Sequence, residues 1–363
     1  MIRKCGCILL RLCLAAAAVL GTASCEVHEY PHDGGAHGGG KVEFVLNLDY
    51  TGALKWGFHK EIDYGGTESK ASAQLAAHAG GVDVRYMVKA YRVGTDGSTA
   101  TMPDTVVTET SADTAHLNRS VVLRLEPGAY KFLVWTDYVE HGKIDNLYFD
   151  PADFNEVTYC NRDGYRGNDD QRQCFRGERG AVVHGSVTDT ATVDMERPMA
   201  KYKFISTDLN EFLAMVVLRR AGKGAKAPSK SEMELAMSKI NVADFKIRFI
   251  YTGFLPCSFN MWTNRPNDSW TGVTFDSRLV ALSASEMELG GDLVLVNGHE
   301  SSVAVRVEVY DHDGTLLSST DPINVPLMRN RLTVVRGHFL TSKASGGIGL
   351  VTRFDGEYDY EVP

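Results

Sequence analysis

The sequence predicts a mainly β protein: two antiparallel β-sandwich units in tandem, with few short helices. Three observations predict it. Apolar and polar residues alternate over short runs, as where Val42, Phe44, Leu46 and Leu48 oppose Glu43, Asn47 and Asp49, the period of two of a half-buried strand. Turn-forming residues punctuate such runs at roughly the 8–12-residue spacing of all-β folds. The runs alternate instead of being continuously apolar, which argues against a parallel α/β sheet, and a 363-residue chain exceeds one typical core.

The amino-terminal residues stand outside this pattern. Arg3 and Lys4 precede an apolar run from Ile8 to Leu20, and small residues Gly21 to Ser24 follow, the layout of a secretion leader over residues 1–24. The run is shorter than the roughly 20 residues that cross a bilayer. "TASC" resembles a bacterial lipobox, so cleavage before Cys25 leaves that cysteine as a lipidated first residue; the plain alternative is a terminal thiol. Two or three acyl chains, at about 0.8 kcal/mol per buried methylene, hold a protein on a membrane where one is marginal. Residues 25–40 are too glycine-rich to pack and read as a flexible tether. His28, His32 and His37 are spaced too irregularly there for a metal site.

The first unit spans residues 41–197. "KVEFVLNLDY" opens it, "VRYMVKAYRV" ends in the turn "GTDGS", and "VVLRLEPGAYKFLVWTDYV" is a strand, a Pro-Gly turn and a second strand. "LYFD" and "EVTYC" are short strands. The second unit, 198–363, opens at "MAKYKF". "TDLNEF" starts a helix, and "SEMELAMSKI" offers Ser231 and Glu234 as a capping box, with Met233, Met237 and Ile240 on one face. In "FKIRFIYTGF", Phe245, Ile247, Phe249 and Tyr251 share a face. Val303, Val305, Val307 and Val309 line one side of a hairpin whose turn, Asp313-Gly314, suits type I′. "DHDG" lacks the remaining ligands of a calcium loop. The closing "EYDYEVP" alternates Tyr358, Tyr360 and Val362 as a last edge strand.

Removal of the leader takes Cys5, Cys7 and Cys13 with it and shifts the formal charge from −8 to about −11, a balance that disfavours nucleic acid. Cys160 and Cys174 flank a polar loop whose closure by a disulfide would contribute about 3 kcal/mol; two reduced thiols are the alternative. Cys257, with no histidine beside it, reads as a buried small apolar residue.

Several segments together resemble the fimbrium-associated lipoproteins of Bacteroidales, the minor-fimbria anchor-like family: the leader, "YKFLVWTDYV" with "DNLYFD", "MAKYKF" with "STDL", and "VPLMRNRLTVVRGHFLTS" with "FDGEY". The resemblance implies transthyretin-like Greek-key sandwiches, outer-membrane anchorage at the cell surface, and other fimbrial subunits as partners. Shaft subunits of that group are cut by an arginine-specific protease and joined by strand donation, whereas anchor-like members keep their lipid. The loop carrying Arg162, Arg166, Arg172, Arg176 and Arg179 is a candidate for such cleavage, although interspersed acids favour a solvated loop; "EYDYEV" is a candidate donor, although completing its own domain is the simpler role.

No G-x-S-x-G, H-E-x-x-H or phosphate-binding glycine loop is present. Asp137 with His141, and His312 between Asp311 and Asp313, read as surface pairs. The expectation is therefore a structural lipoprotein without catalytic residues, metal or cofactor. The alternative is a glycan-binding lipoprotein, in which Trp262 and Trp270 supply flat platforms and Asn264, Asn267 and Asp268 hydrogen bonds; against it, indoles are usually substantially buried.

Overall fold

The computed structural model of the chain describes residues 40–64, 81–185, 188–222, 226 and 228–341. The leader, Cys25, the tether up to residue 39 and "EYDYEV" lie outside the described residues.

The first half contributes β1 (Val42–Asp49), β2 (Gly57–Tyr64), β3 (Val82–Val93), β4 (Thr105–Ser111), β5 (Arg119–Leu125), β6 (Gly128–Glu140), β7 (Phe149–Asp150), β8 (Val157–Tyr159), β9 (Cys174–Val183) and β10 (Asp189–Asp194). β1 lies between β10, parallel to it, and β5, antiparallel. A second sheet, ordered β4-β3-β6-β9, faces it: Phe44 of β1 stacks on Phe132 of β6 with 4.9 Å between centroids. The alternation expected of "KVEFVLNLDY" is present, with Phe44, Leu46 and Leu48 buried. β3 and β6 are instead buried on both faces. The residues that follow β6 cover their second face, where Arg85 and Lys89 of β3 donate to the carbonyls of Phe149 (3.1 Å) and Ala152 (2.6 Å).

The second half contributes β11 (Met199–Ser206), α1 (Leu209–Ala221), α2 (Lys230–Met237), β12 (Lys246–Tyr251), β13 (Leu255–Asn260), β14 (Arg265–Trp270), β15 (Thr274–Arg278), β16 (Val280–Ala281), β17 (Met287–Leu295), β18 (Ser301–Tyr310), β19 (Leu316–Ser319), β20 (Ile323–Leu327) and β21 (Arg331–Gly337). β11 lies between β21, parallel, and β17, antiparallel. The facing sheet runs β15-β12-β18-β19, with β20 also on β18. Phe204 of β11 meets Phe249 of β12 at 5.6 Å, and Phe249 stacks on Phe275 of β15 at 4.8 Å. The pairings of β1, β3, β4, β5, β6, β9 and β10 thus recur, in the same order and sense, in β11, β12, β15, β17, β18, β20 and β21.

Three of the five sheets are antiparallel as expected, but the two built on β1 and on β11 are mixed. The parallel pairs arise because β10 and β21 follow strands of the facing sheet, and so do not enter as the second arm of a hairpin. Each half also sends a piece into the other. β2 leaves the first half and lies parallel to β21 at the edge of the second half's sheet, with Gly57 opposite Arg331 and Tyr64 opposite Gly337. β7 and β8 join β13 and β14 in a sheet ordered β14-β13-β8-β7. Pairing therefore crosses the expected boundary at residue 197, and one apolar cluster runs through both halves.

Local expectations need two adjustments. The capping box of α2 is Ser229 with Glu232, not Ser231 with Glu234: Ser229 is extended, and its hydroxyl accepts from the Glu232 N–H while the Glu232 carboxylate accepts from the Ser229 N–H. At the β18–β19 connection Gly314 has φ +83° while Asp313 does not take positive φ. The Gly314 N–H donates to the Asp311 carbonyl at 3.0 Å, so the connection is a tight turn closed by a left-handed glycine and not type I′. Phe245, Ile247, Phe249 and Tyr251, and the four valines of β18, are buried as their spacing predicts. Among the described residues no helix is long and apolar enough to cross a membrane.

Candidate functional site at the junction of the halves

Charged side chains concentrate where the halves meet. The chain between β8 and β9 carries Tyr165 and Arg172 onto β17. There the Arg172 guanidinium is paired with Asp292 and donates to the Leu293 carbonyl at 2.6 Å. Tyr165 and Tyr251 each donate to the same carboxylate at 2.7 Å, and Tyr202 donates to Tyr251 at 2.9 Å. The guanidinium lies 4.8 Å and 4.4 Å from the ring centroids of Tyr159 and Tyr165. Burial first, then the Asp292 charge, holds Tyr202 and Tyr251 protonated well above the usual phenol range. The carboxylate is matched by one cation and by neutral hydroxyls, which is what a buried charge requires.

Three more arginines extend the junction. Arg197 sits 4.0 Å from the Trp56 ring and 5.0 Å from Phe175 and bonds Gln173 (2.8 Å) and Asn330. Burial in this aromatic slot lowers its pKa to about 10. Arg176 reaches Glu196 at 2.7 Å and Arg329 reaches it at 3.3 Å, while Arg329 also bonds Asn264 at 2.8 Å and the Val296 carbonyl at 3.1 Å. Asn264, in the left-handed region at φ +55°, donates back to Glu196 at 2.9 Å.

Burial alone would raise the Glu196 carboxyl, but the Arg176 hydrogen bond and the charges of Arg329 and Arg176 outweigh it and hold it below 4.5. A depressed folded value stabilises the fold above the unfolded pKa, and the contribution fades as pH falls through the lower one. Urea unfolding of Glu196→Gln is therefore expected to differ most from wild type at pH 6 and to converge on it toward pH 3; a pH-independent difference would refute the assignment.

Beside Asp292 a polar recess of about 120 Å³ is lined by Asn168, Asp169, Asp170, Lys201 and Glu288. That is well below the roughly 300 Å³ at which small-molecule pockets begin, and Lys201 fills part of its charge demand by binding Asp170 at 2.5 Å. Among the described residues no group of three or more His, Cys, Asp or Glu is arranged to hold a metal.

The residues singled out from the sequence fall in several places. Trp262 packs on Tyr91 at 4.7 Å and lies 5.2 Å from the Lys131 ammonium. Trp270 packs on Tyr159 at 6.0 Å. Trp262 lies in the turn between β13 and β14 and Trp270 ends β14, so roughly 17 Å of strand separates them. Asn264 is occupied in the junction, Asn267 bonds Ser258 at 2.8 Å, and Asp268 accepts from the Ser269 N–H at 2.7 Å.

Cys160 and Cys174 are free thiols, the first exposed at the end of β8 and the second buried at the start of β9 opposite Asp137, so the expected bridge is not formed. Cys257 is buried, and burial pushes its thiol up to about 12. Asp137 is no surface partner of His141: it is fully buried and bonds Arg85 at 2.9 Å and 2.7 Å, while His141 meets Asp83 at 2.7 Å. His312 is an exposed partner of Asp311 at 3.1 Å. Arg172 and Arg176, expected on a solvated loop, are the buried centre of the junction. Asp292 escaped the sequence reading; its signal is an isolated acid behind two glycines in the otherwise apolar "LGGDLVLV".

No curated protein matches the chain. Among solved structures it is similar to a candidate cell adhesion protein from Bacteroides eggerthii, at 12% identity over 87% of this chain and 92% of that one, with a TM-score of 0.41. It is also similar to the fimbrial anchor protein Mfa2 from Porphyromonas gingivalis, at 9% identity over 77% and 82% of the two chains, with a TM-score of 0.35. A third similar structure, of a candidate polysaccharide-binding protein from Bacteroides thetaiotaomicron, gives 12% identity over 76% and 79%, with a TM-score of 0.37. The model of a family of unknown function, DUF6562, matches residues 42–363, and the chain belongs to that family.

Proposed function

We propose that this chain is a lipid-anchored surface protein that serves as a structural anchor or accessory subunit of a fimbrium or adhesive assembly. In this reading Cys25 carries the lipid at the outer membrane, residues 25–40 are the tether, and the body is a pair of transthyretin-like Greek-key sandwiches. Its partners are other fimbrial subunits, and it acts without catalysis or cofactor. The observation that supports it best is the way two repeats of one strand pattern are interlocked. Each half supplies strands to the other, and buried arginines cross the seam. Pulling on one end then loads backbone hydrogen bonds and ion pairs of both halves together, where two beads on a flexible linker would separate. That suits a part tethered at one end and held by an assembly at the other.

The test is growth of the native host with labelled palmitate, followed by isolation of the protein from membranes. Label on wild type and not on Cys25→Ala, together with co-isolation of fimbrial subunits, is the expected result. An unlabelled wild-type chain defeats the anchor, and a labelled chain that brings down no fimbrial subunit defeats the assembly role.

A further inference from the structure

The α1–α2 hairpin, inserted between β11 and β12, presents a face that no other described residue covers. α1 packs inward through Leu209, Phe212 and Val216, with Phe212 on Phe245 at 4.9 Å, whereas α2 buries none of its side chains. Leu218 and Leu235 are 50% and 59% exposed, and Leu316, whose carbonyl accepts from Arg219, is 45% exposed. Arg219, Arg220, Lys226, Lys230 and Lys239, on or next to the two helices, are all exposed. Of the three acids on the two helices, Glu232 is engaged by Ser229 in the capping box, Glu234 lies 4.0 Å from Lys230, and Glu211 sits in the first turn of α1, about two turns from Arg219 and Arg220. A cationic, leucine-studded surface has thus been set on a chain of formal charge −8.

The same chain contains a segment of complementary chemistry. "FDGEYDYEV", Phe354 to Val362, holds four acids, no base, and the apolar Phe354, Tyr358, Tyr360 and Val362. Its point of departure is fixed. Asp208, the residue that precedes α1, accepts from the Thr341 N–H at 2.7 Å and its hydroxyl at 2.6 Å. The chain therefore leaves the described fold beside the first turn of the helix that carries Arg219 and Arg220 in its last turn. α1 is about 20 Å long at 1.5 Å per residue, and residues 342–353 can span about 40 Å when extended.

From charge, apolar content and reach we propose that residues 354–362 seat on the α1–α2 hairpin of their own chain. Acids pair with the exposed arginines and lysines, and the aromatic side chains cover Leu218, Leu235 and Leu316. Single exposed pairs are weak and salt-sensitive, but tethering places the segment at millimolar effective concentration. This holds whether or not the chain serves a fimbrium.

Zero-length carbodiimide cross-linking of the intact mature protein tests it, on an equal mixture of light and heavy isotope-labelled chains, read by peptide mass spectrometry. Bonds are expected from Asp355, Glu357, Asp359 and Glu361 to Lys226, Lys230 and Lys239, within light or within heavy chains. Their yield is expected to fall at least fivefold in 1 M salt and in Arg219→Glu/Arg220→Glu, which leaves the reporting lysines in place. Both arginines are exposed, and an unchanged unfolding midpoint will show that the variant folds. Mixed light–heavy bonds would move the contact to a second copy and overturn the proposal, as would equal bonding to distant lysines such as Lys55 and Lys143, or indifference to the charge reversal.

Discussion

Asp292→Ala is expected to destabilise the protein by about 3–5 kcal/mol, the cost of leaving a buried partner charge uncompensated. The carboxylate is 2% exposed and answers Arg172, Tyr165 and Tyr251. Its loss strands a guanidinium whose Nε and Nη1 already lack partners and leaves two phenols to find new acceptors. Urea unfolding at neutral pH measures the effect. Arg172→Met/Asp292→Leu, which removes both charges and retains volume, is expected to recover much of it, since a buried pair as a whole is often replaceable by apolar groups. A double variant as unstable as Asp292→Ala alone would mean that the tyrosines, not the ion pair, carry the cost. The junction predicts coupling across it: a single substitution on β17 should loosen the chain around Arg172 as well, visible as faster amide exchange there.

Gly291→Ala is expected to cost about 3 kcal/mol or more, although it adds a single methyl group. A Cβ at Gly291 would lie 2.0 Å from the Tyr202 carbonyl oxygen and 3.0 Å from the Lys203 Cα, both backbone atoms of β11. Relief requires separation of β11 from β17, the central pair of the sheet, because no side chain can turn aside. The close approach lies beside a β-bulge, where the pairing of β11 and β17 shifts between Phe204 and Ile205. Gly253→Ala is the control: its Cβ would meet only Ala304 at 3.8 Å, an ordinary contact, so its effect should stay within about 0.5 kcal/mol. Equal unfolding midpoints for the two variants would refute the close-approach account.

Which features could be read from sequence follows from what each depends on. The valines of β18 and the aromatic face of β12 answer to burial on one side, and period-two spacing records that directly. β3 and β6 lose the alternation because a long insertion packs on their outer face, and nothing within "VRYMVKAYRV" announces a cover that comes from residues beyond His141. The halves' interlocking was invisible for the same reason: β2 carries no mark of its partner β21. The junction hides more deeply. Arg172 looks like one more arginine of a polar loop, and only a carboxylate 120 residues away makes it buried. Trp262 and Trp270 look like neighbours in sequence and are set apart by the length of a strand. By contrast "STDL" and "GHFLTS", which supported the family resemblance, find their physical cause in the clasp of Asp208 on Leu340 and Thr341.

The placement of β2 has a temporal consequence. Glu61 meets its partner Arg336 across 275 residues of chain, so the earliest-made part of this edge must wait for almost the last. Closing so long a loop is entropically slow, and contacts of this range delay folding. Until Arg331 to Gly337 emerge, residues 57–64 are a bare ribbon with unpaired backbone groups, open to association with other chains. A nascent chain interrupted short of Arg331 would therefore be a more dangerous species than one interrupted after it, and a chaperone that shields this ribbon should speed recovery of the native form.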